Sequence, residues 1–425
     1  MSNGAWDIII VGGGLAGLSL AVELSEPQFA HLKVLVLEQR NQYTRDRTWS
    51  YWATAAHRYS SLERRRWSKW TTRFEGRVAV QTSKRAYCTL DADAFYAHAM
   101  ECISASKHVR LRLGTQVHHI VNGAPAQVHL PDGGMLQAQW VMDARPEVIH
   151  VVPNDVTHKA THGTGCMAQH FEGWEIEADR DCFDPETLDL MDFQPAQHGL
   201  HFFYVLPYTA RRALVETTWI SRWTAGKDYG TELEQYLQAR WPGMRYKKVY
   251  AERGVLGLES PPARSNHRVV PLGRNAGTLR LSTGFAFLNT LADAKRIADW
   301  IGKTPLSQPG NTIASFKPFW LDVRMDQFFM AAMKADWPRA PNLFMSMFAK
   351  VDPLTLTDFL AGSSSITQRA KIAMSLPKLH FLRVALQLIL KPLRSVKLLK
   401  SAMSAKPAKT AQTAQTGQTA EAHLR

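Results

Sequence analysis

The 425-residue sequence predicts an α/β fold of Rossmann type with a second, mainly antiparallel β domain and a helical carboxy-terminal region. Three patterns carry this expectation. An apolar strand at residues 7–11 runs into a glycine turn, Gly12 to Gly17, and then into an apolar helix, Leu18 to Leu24. Residues from about 160 to 260 are rich in β-branched and aromatic side chains, which suit a half-buried pleated surface. Past Pro318 the apolar residues recur at helical spacing. The expected division is a discontinuous dinucleotide-binding domain (1–150 and 265–310), an antiparallel β domain for substrate (151–264), a helical basic region (311–400) and a disordered tail (401–425).

Taken in order, the first helix is followed by a strand from Lys33 to Leu37 that ends at Glu38, completing a βαβ unit. Gly12-x-Gly14-x-x-Gly17 therefore sits after a strand and before a helix, with an acidic residue about twenty positions further on. Gly12 permits the tight turn, Gly14 lets the backbone approach a pyrophosphate, and Gly17 allows close helix packing. The amides of Leu15 and Ala16 lie at the positive end of the helix dipole, and Glu38 is expected to hold ribose hydroxyls. Tyr87 to Ile103 reads as a strand entering a helix. Gln127–Leu130, Asp132-Gly133 and Met135–Gln139 read as a hairpin, and Val141-Met142-Asp143 as a return to the first sheet. Residues from Leu279 to Ile301 are expected to re-enter the nucleotide domain as strand, turn and helix.

The glycine motif alone does not choose between FAD and NAD. Gly273-Arg274-Asn275-Ala276, with Ser282-Thr283-Gly284-Phe285-Ala286-Phe287-Leu288-Asn289 and Asp293, resembles the second flavin-contacting segment of aromatic-hydroxylase-like flavoproteins. That resemblance implies FAD, with Gly284, Phe285 and Asn289 beside the isoalloxazine and Asp293 capping or orienting rather than reacting.

Composition limits the remaining classes. Cys88, Cys102, Cys166 and Cys182 are far apart, with no CxxC pair and no metal-ligand spacing, so neither a disulfide framework nor a metal site is expected. No apolar run approaches the roughly 20 residues of a membrane span, and no signal sequence precedes the first strand, so a cytoplasmic protein is expected. Much of the net charge of +14 is carboxy-terminal: residues 359–420 hold no acidic residue and ten cations, among them Arg369, Lys371 and Lys378. These alternate with Leu379, Leu382, Leu386, Ile389, Leu393 and Val396 at helical spacing, a pattern that favours an anionic membrane surface over nucleic acid, while an ordinary packed helix with solvated charges stays open. Arg64, Arg65, Arg66, Trp67, Lys69 and Trp70 join cations to indoles, either as an interfacial anchor or as a plain loop.

Over most of its length, residues 7 to about 376, the sequence resembles the bacterial lycopene β-cyclases. The stretches that carry the resemblance are the glycine turn with Glu38, Arg47-Thr48-Trp49-Ser50-Tyr51-Trp52, Phe203-Tyr204-Val205-Leu206-Pro207-Tyr208, Leu214-Val215-Glu216-Thr217-Thr218-Trp219, Glu252-x-Gly254 and Ser282-Thr283-Gly284-Phe285. The resemblance implies conversion of the acyclic ψ ends of lycopene and related carotenoids to β-ionone rings, with reduced FAD used without net redox change and NAD(P)H as electron donor. It implies Glu216 as the acid/base. Trp49, Tyr51, Trp52, Phe202, Phe203, Tyr204 and Trp219 are expected either to line a polyene tunnel or to pack in the core, with the Tyr204 and Tyr208 hydroxyls placed to position an acid. A forty-carbon substrate further implies peripheral attachment to the inner face of the cell membrane; the oligomeric state is left open. Thr217 stands where relatives carry a second acid, and Arg280-Leu281 where many read His-Pro, differences that bear on end-group specificity. Two other classes share these features: another flavoenzyme acting on an isoprenoid, such as a monooxygenase or polyprenyl reductase, and a non-catalytic carotenoid-binding flavoprotein.

Overall fold

Ile8, Ile9, Ile10 and Val11 are all buried, so the strand they form must lie inside a sheet with both faces covered. In the computed structural model, which describes residues 5–145, 167–224, 226–258, 268–306 and 311–386, this is what the chain does. The elements in order are β1 (Trp6–Val11), α1 (Leu15–Leu24), β2 (Val34–Leu37), β3 (Thr48–Trp52), β4 (Arg65–Phe74), β5 (Arg77–Asp91), α2 (Ala92–Ala105), β6 (Val109–Arg112), β7 (His119–Val121), β8 (Ala126–His129) and β9 (Met135–Asp143). There follow β10 (Met167–Ala178), β11 (Thr187–Gln194), β12 (Gly199–Pro207), β13 (Arg212–Arg222), α3 (Tyr229–Arg240), β14 (Tyr246–Gly257), β15 (Val269–Pro271), α4 (Phe287–Lys303), α5 (Trp320–Ala335), α6 (Ala340–Lys350), α7 (Pro353–Leu360) and α8 (Ile366–Ser375).

The first sheet has the order β6-β2-β1-β9-β8-β7, with β15 also on β9; β6, β2, β1, β9 and β15 run parallel, and β7 to β9 form antiparallel hairpins. Alternation splits its core in two. Ile8, Ile10, Val34 and Val36 pack with residues of α1, α2 and α4, while Ile9, Val11, Leu35 and Leu37 pack with Ala126, Val128, Ala138 and Val141. The glycine turn is sterically forced: Gly12 has φ +102°, and a Cβ on Gly17 would lie 1.9 Å from the Gly12 carbonyl oxygen.

The second sheet has the order β14-β10-β13-β12-β11-β4-β5-β3 and is antiparallel except where β11 runs alongside β4. Here the structure departs from the expected division, because β3, β4 and β5 fall within residues 1–150 yet pair into this sheet. The 15-residue β5 pairs with β4 along its length and with β3 at its end, while Cys88 and Leu90 at that end pack into the core of the first sheet. One face of the second sheet is covered by α3, through Leu233, Tyr236 and Leu237 against Trp174, Ile176, Phe203, Val205 and Val215.

Other expectations change as well. The cation and indole cluster is neither an anchor nor a loop: it opens β4, with Trp67 and Trp70 buried and the Trp67 Nε1 donating to the Pro185 carbonyl at 3.1 Å. The strand expected near Leu279 is instead β15, and a run of turns leads from it to α4. Among the carboxy-terminal cations Arg369 is buried, bonded to both Asp322 oxygens at 2.6 and 2.7 Å. A second unit, Leu379–Arg425, is described only over residues 379–386, which are helical with Leu379, Leu382 and Leu386 exposed. Ile389, Leu393, Val396, the tail from Ser401 and Cys166 lie outside the described residues. Among the described residues no helix is long and apolar enough to cross a membrane.

Gly17→Ala is expected to destabilise the fold by about 1–3 kcal/mol, because the added methyl has no place beside the Gly12 carbonyl. A thermal melt followed by circular dichroism checks this, and an unchanged midpoint would show that the turn can relax.

Candidate active site

Where β1 ends, the chain must turn sharply enough for α1 to start against the sheet. Gly14 precedes the helix with no side-chain cap, and a Cβ built there would meet nothing within 4 Å, so the approach to the helix start is open at Gly14. Glu38, at the end of β2, is buried and closes the other side of this cradle. Its Oε2 accepts from the Gly13 amide at 2.7 Å and from Arg40 Nη2 at 3.2 Å, and its Oε1 from the Arg40 amide at 2.8 Å and Arg40 Nε at 3.0 Å. Four donors thus occupy the four acceptor positions of a carboxylate, so Glu38 fastens the turn instead of presenting free oxygens to ribose. Burial pushes its carboxyl up, but Arg40 and the Gly13 amide outweigh burial and hold it below the usual range. Arg40, which sequence reasoning passed over, also donates to the Gly13 carbonyl at 3.0 Å and lies against the rings of Tyr43 and Tyr96.

The second segment builds the opposite wall. Gly273 (φ +60°) is pressed against α1, since a Cβ there would be 2.9 Å from the Ala16 Cβ. Gly284 (φ +72°) is packed on Gln169, whose Oε1 would be 2.3 Å from an added Cβ. Helix α4, like α1, starts without a side-chain cap. Asn289 donates to the Thr278 carbonyl at 2.9 Å and braces the loop, and Asp293 is paired with Arg296 at 2.7 Å, in keeping with an orienting part. Arg280 ties this loop to α5 and α7 through Asp326 at 3.2 Å and the Phe359 carbonyl.

Between these walls and the second sheet lies a cavity of about 410 Å³. Leu15 and the segment Thr283–Phe287 line one part of it; Trp49, Phe171, Phe202, Tyr204, Glu216, Thr218 and Glu252 line another. Two uncapped helix starts directed at one space give it a positive bias, which suits an anionic dinucleotide.

The sheet supplies the acids. Period-two alternation along β13 turns Glu216 and Thr218 to the cavity, and Thr217 and Trp219 to α3. In register across four strands lie Glu252 on β14, Gly173 on β10, Glu216 on β13 and Tyr204 on β12. A Cβ on Gly173 would be 3.2 Å from the Leu214 Cδ1, 3.4 Å from the Glu252 Cγ and 3.5 Å from the Glu216 Cβ, so the glycine lets these three side chains close in over it. Burial, then repulsion from Glu252, push the Glu216 carboxyl up to about 8, opposed by the Thr218 hydroxyl that donates to it at 2.6 Å. Burial likewise pushes Glu252 up to about 7, opposed by the Tyr250 hydroxyl at 2.9 Å, by Thr48 and by Arg45.

Of the expected tunnel residues, Trp49, Phe202 and Tyr204 line this cavity. Tyr51 and Trp52 line a smaller neighbouring one with Arg280, Phe287 and Asn289, where the Tyr51 hydroxyl donates to Glu63 at 2.8 Å. Trp219 points the other way, stacked on His201 at 4.2 Å with its Nε1 donating to Glu232 at 3.0 Å. Tyr208, just past the end of β12, lies beneath the Arg64 guanidinium at 3.6 Å. Arg64 belongs to a hub in which fully buried Glu175 accepts from it at 2.7 Å, from Arg45 at 2.6 Å and from Arg212; burial raises Glu175, but the arginines outweigh it and hold it at about 2. Glu252 stood in a quoted motif without a role, and the signal that would have placed it is pairing register, which a single strand does not carry.

A family model described as lycopene cyclase protein matches residues 7–386. A chloroplastic/chromoplastic lycopene beta cyclase of Capsicum annuum is 24% identical over 400 residues, covering 87% of this chain and 77% of its own. The lycopene beta-cyclase of a Paracoccus species is 24% identical over 401 residues, covering 87% and 94%. Among solved structures, the halogenase PltM in complex with phloroglucinol and FAD superposes with a TM-score of 0.56 at 12% identity, covering 87% of this chain and 90% of that one, which identifies the fold as a Rossmann-type flavoprotein fold.

Glu216→Gln is expected to stabilise the protein increasingly as pH rises from about 4.5 to about 8. In that window the unfolded chain has released the Glu216 proton and the folded protein still holds it, so wild type loses stability by about 1.4 kcal/mol per pH unit. Denaturant titrations of both proteins at pH 5 and 8 check this, and an equal difference at the two pH values would show that Glu216 is not held as the acid.

Proposed function

The chain belongs to the lycopene cyclase protein family, and from this premise we propose that it is a lycopene β-cyclase, converting the ψ ends of lycopene through γ-carotene to β-carotene. The observation that carries the reading is Glu216, a buried carboxyl that keeps its proton near neutrality and faces a largely apolar cavity. Protonating an alkene needs an acid of this kind in a space without water to trap the cation. Glu216 donates a proton to C2 of the end group, a tertiary cation develops at C1, and the C5=C6 bond closes on it. A carboxylate about 4 Å from that cation, at an effective dielectric near 20, contributes on the order of 4 kcal/mol, about a thousandfold in rate. Trp49, Phe171, Phe202 and Tyr204 line the same cavity and offer π faces to positive charge.

FAD is the cofactor that fits the cradle. The turn at Gly12 and Gly14 and the amides of Leu15, Ala16 and Gly17 would hold its pyrophosphate, in a cradle that the Glu38–Arg40 pair shapes, and Gly284 and Phe285 the isoalloxazine. Once reduced by NAD(P)H, it supplies negative charge at the cavity without net electron transfer.

Because the substrate resides in lipid, we place the enzyme peripherally on the inner face of the cell membrane. The carboxy-terminal cations support this, as do the exposed apolar side chains of Phe319, Trp320, Ile366 and Met374.

In lycopene-accumulating cells, expression is expected to yield β-carotene, with Glu216→Gln retaining flavin but forming no rings. In vitro, turnover should fall as pH rises through about 8, when Glu216 loses its proton. Pigment chromatography reads both, and unchanged lycopene beside flavin-loaded protein would remove the proposal. NAD(P)H consumption in proportion to product would identify a redox flavoenzyme instead. Truncation after Pro377 is expected to reduce co-sedimentation with anionic vesicles, and unaltered sedimentation would count against lipid attachment through that segment.

A further inference from the structure

Resting on the cyclase reading, we propose that Glu252 is a second catalytic residue, the base that removes the C6 proton, working with Glu216 in the cavity that both line.

The placement comes from pairing register. Glu252 and Glu216 are both opposite Gly173, so they share one sheet face two strands apart, about 10 Å backbone to backbone, and both line the cavity. The carbon that gains a proton and the carbon that loses one are both bonded to C1 in the ring, so an end group in that cavity meets both carboxyls. The two carboxyls differ in their surroundings. Glu252, 6% exposed, accepts from the Tyr250 hydroxyl at 2.9 Å, and Tyr250 carries the Arg45 guanidinium 3.8 Å above its ring. Those neighbours pull toward the carboxylate, against the burial that raises Glu252 to about 7. Glu216 has the Thr218 hydroxyl as its donor and no cation among the groups that shift it, which favours the acid. The fourth member of the row, Tyr204, is 9% exposed and lines the same cavity, with Ser50 and Tyr87 beside its hydroxyl.

The step balances. The Glu216 O–H bond breaks as a C–H bond forms at C2, consuming the C1=C2 π bond. The C5=C6 pair forms the C1–C6 bond and leaves the cation at C5. The C6–H bond then breaks, its electrons restore C5=C6, and the proton goes to Glu252. Return of one proton from Glu252 to Glu216 resets the pair, and the product is an isomer of the substrate.

The test uses the full-length, FAD-loaded protein under reducing conditions with lycopene in vesicles, in D₂O, with mass analysis of product and recovered substrate. Wild type is expected to give β-carotene carrying one deuterium per ring. Glu252→Gln is expected to lower ring formation at least a hundredfold, while its recovered lycopene gains deuterium, because Glu216 still protonates C2 and the cation reverts. Glu216→Gln is expected to give neither ring nor label. Glu252→Asp, which keeps the carboxylate, should form rings faster than Glu252→Gln. Near-normal turnover by Glu252→Gln, loss of turnover with unlabelled lycopene despite normal flavin content, or Glu252→Asp no better than Glu252→Gln would each overturn the assignment with the cyclase reading intact. Wild type that forms no ring would overturn both.

Discussion

Removing a carboxyl group from water disfavours its charged form, and at Glu216 nothing cationic opposes that penalty. Thr218 gives one hydrogen bond, Glu252 adds repulsion, and the proton is retained. The rest of the molecule can be understood as what keeps this side chain dry and faces it toward a cavity. The eight-stranded sheet fixes its direction, α3 seals the reverse face, and the loop ahead of α4 forms the wall across from it.

Charge elsewhere in the protein is handled in the opposite manner. Glu175 is as deeply buried as Glu216, yet three arginines hold it ionised. It lies on β10 two residues from Gly173, so it faces the same way and forms a charged floor next to the carboxyl row. Arg45 links the two, bonded to Glu175 and stacked over Tyr250, the donor to Glu252. Glu175 lies on the strand between those of Glu252 and Glu216, and both of these glutamates are raised by burial; Arg45 and Tyr250 oppose that rise at Glu252, Thr218 at Glu216.

The Glu38–Arg40 pair shows a similar economy at the nucleotide end. A carboxylate whose four acceptor positions are filled by the protein acts as a clasp between the glycine turn and the end of β2, and it sets the shape of the cradle before any ligand arrives.

Local rules were enough for one part of this protein. The strand, turn and helix around Gly12 to Gly17 are dictated by residues adjacent in sequence, because positive φ and close helix approach leave few alternatives to glycine. Glu216 was legible as an acid candidate from its apolar surroundings and its resemblance to a known family. The exchange of β3 to β5 into the second sheet was not legible, nor was the burial of Trp67 and Trp70, because a strand does not reveal which partner it pairs with. Trp219 and Tyr208 were misplaced for a related reason: composition marks aromatic residues without saying which face they take. The row of Glu252, Gly173, Glu216 and Tyr204 joins residues up to 79 positions apart, and only hydrogen-bonded register brings them together. The sequence by itself determined the glycine turn and singled out one carboxyl; the tertiary structure decided that carboxyl's neighbours and hence its proton affinity, because desolvation and charge act through space and not along the chain.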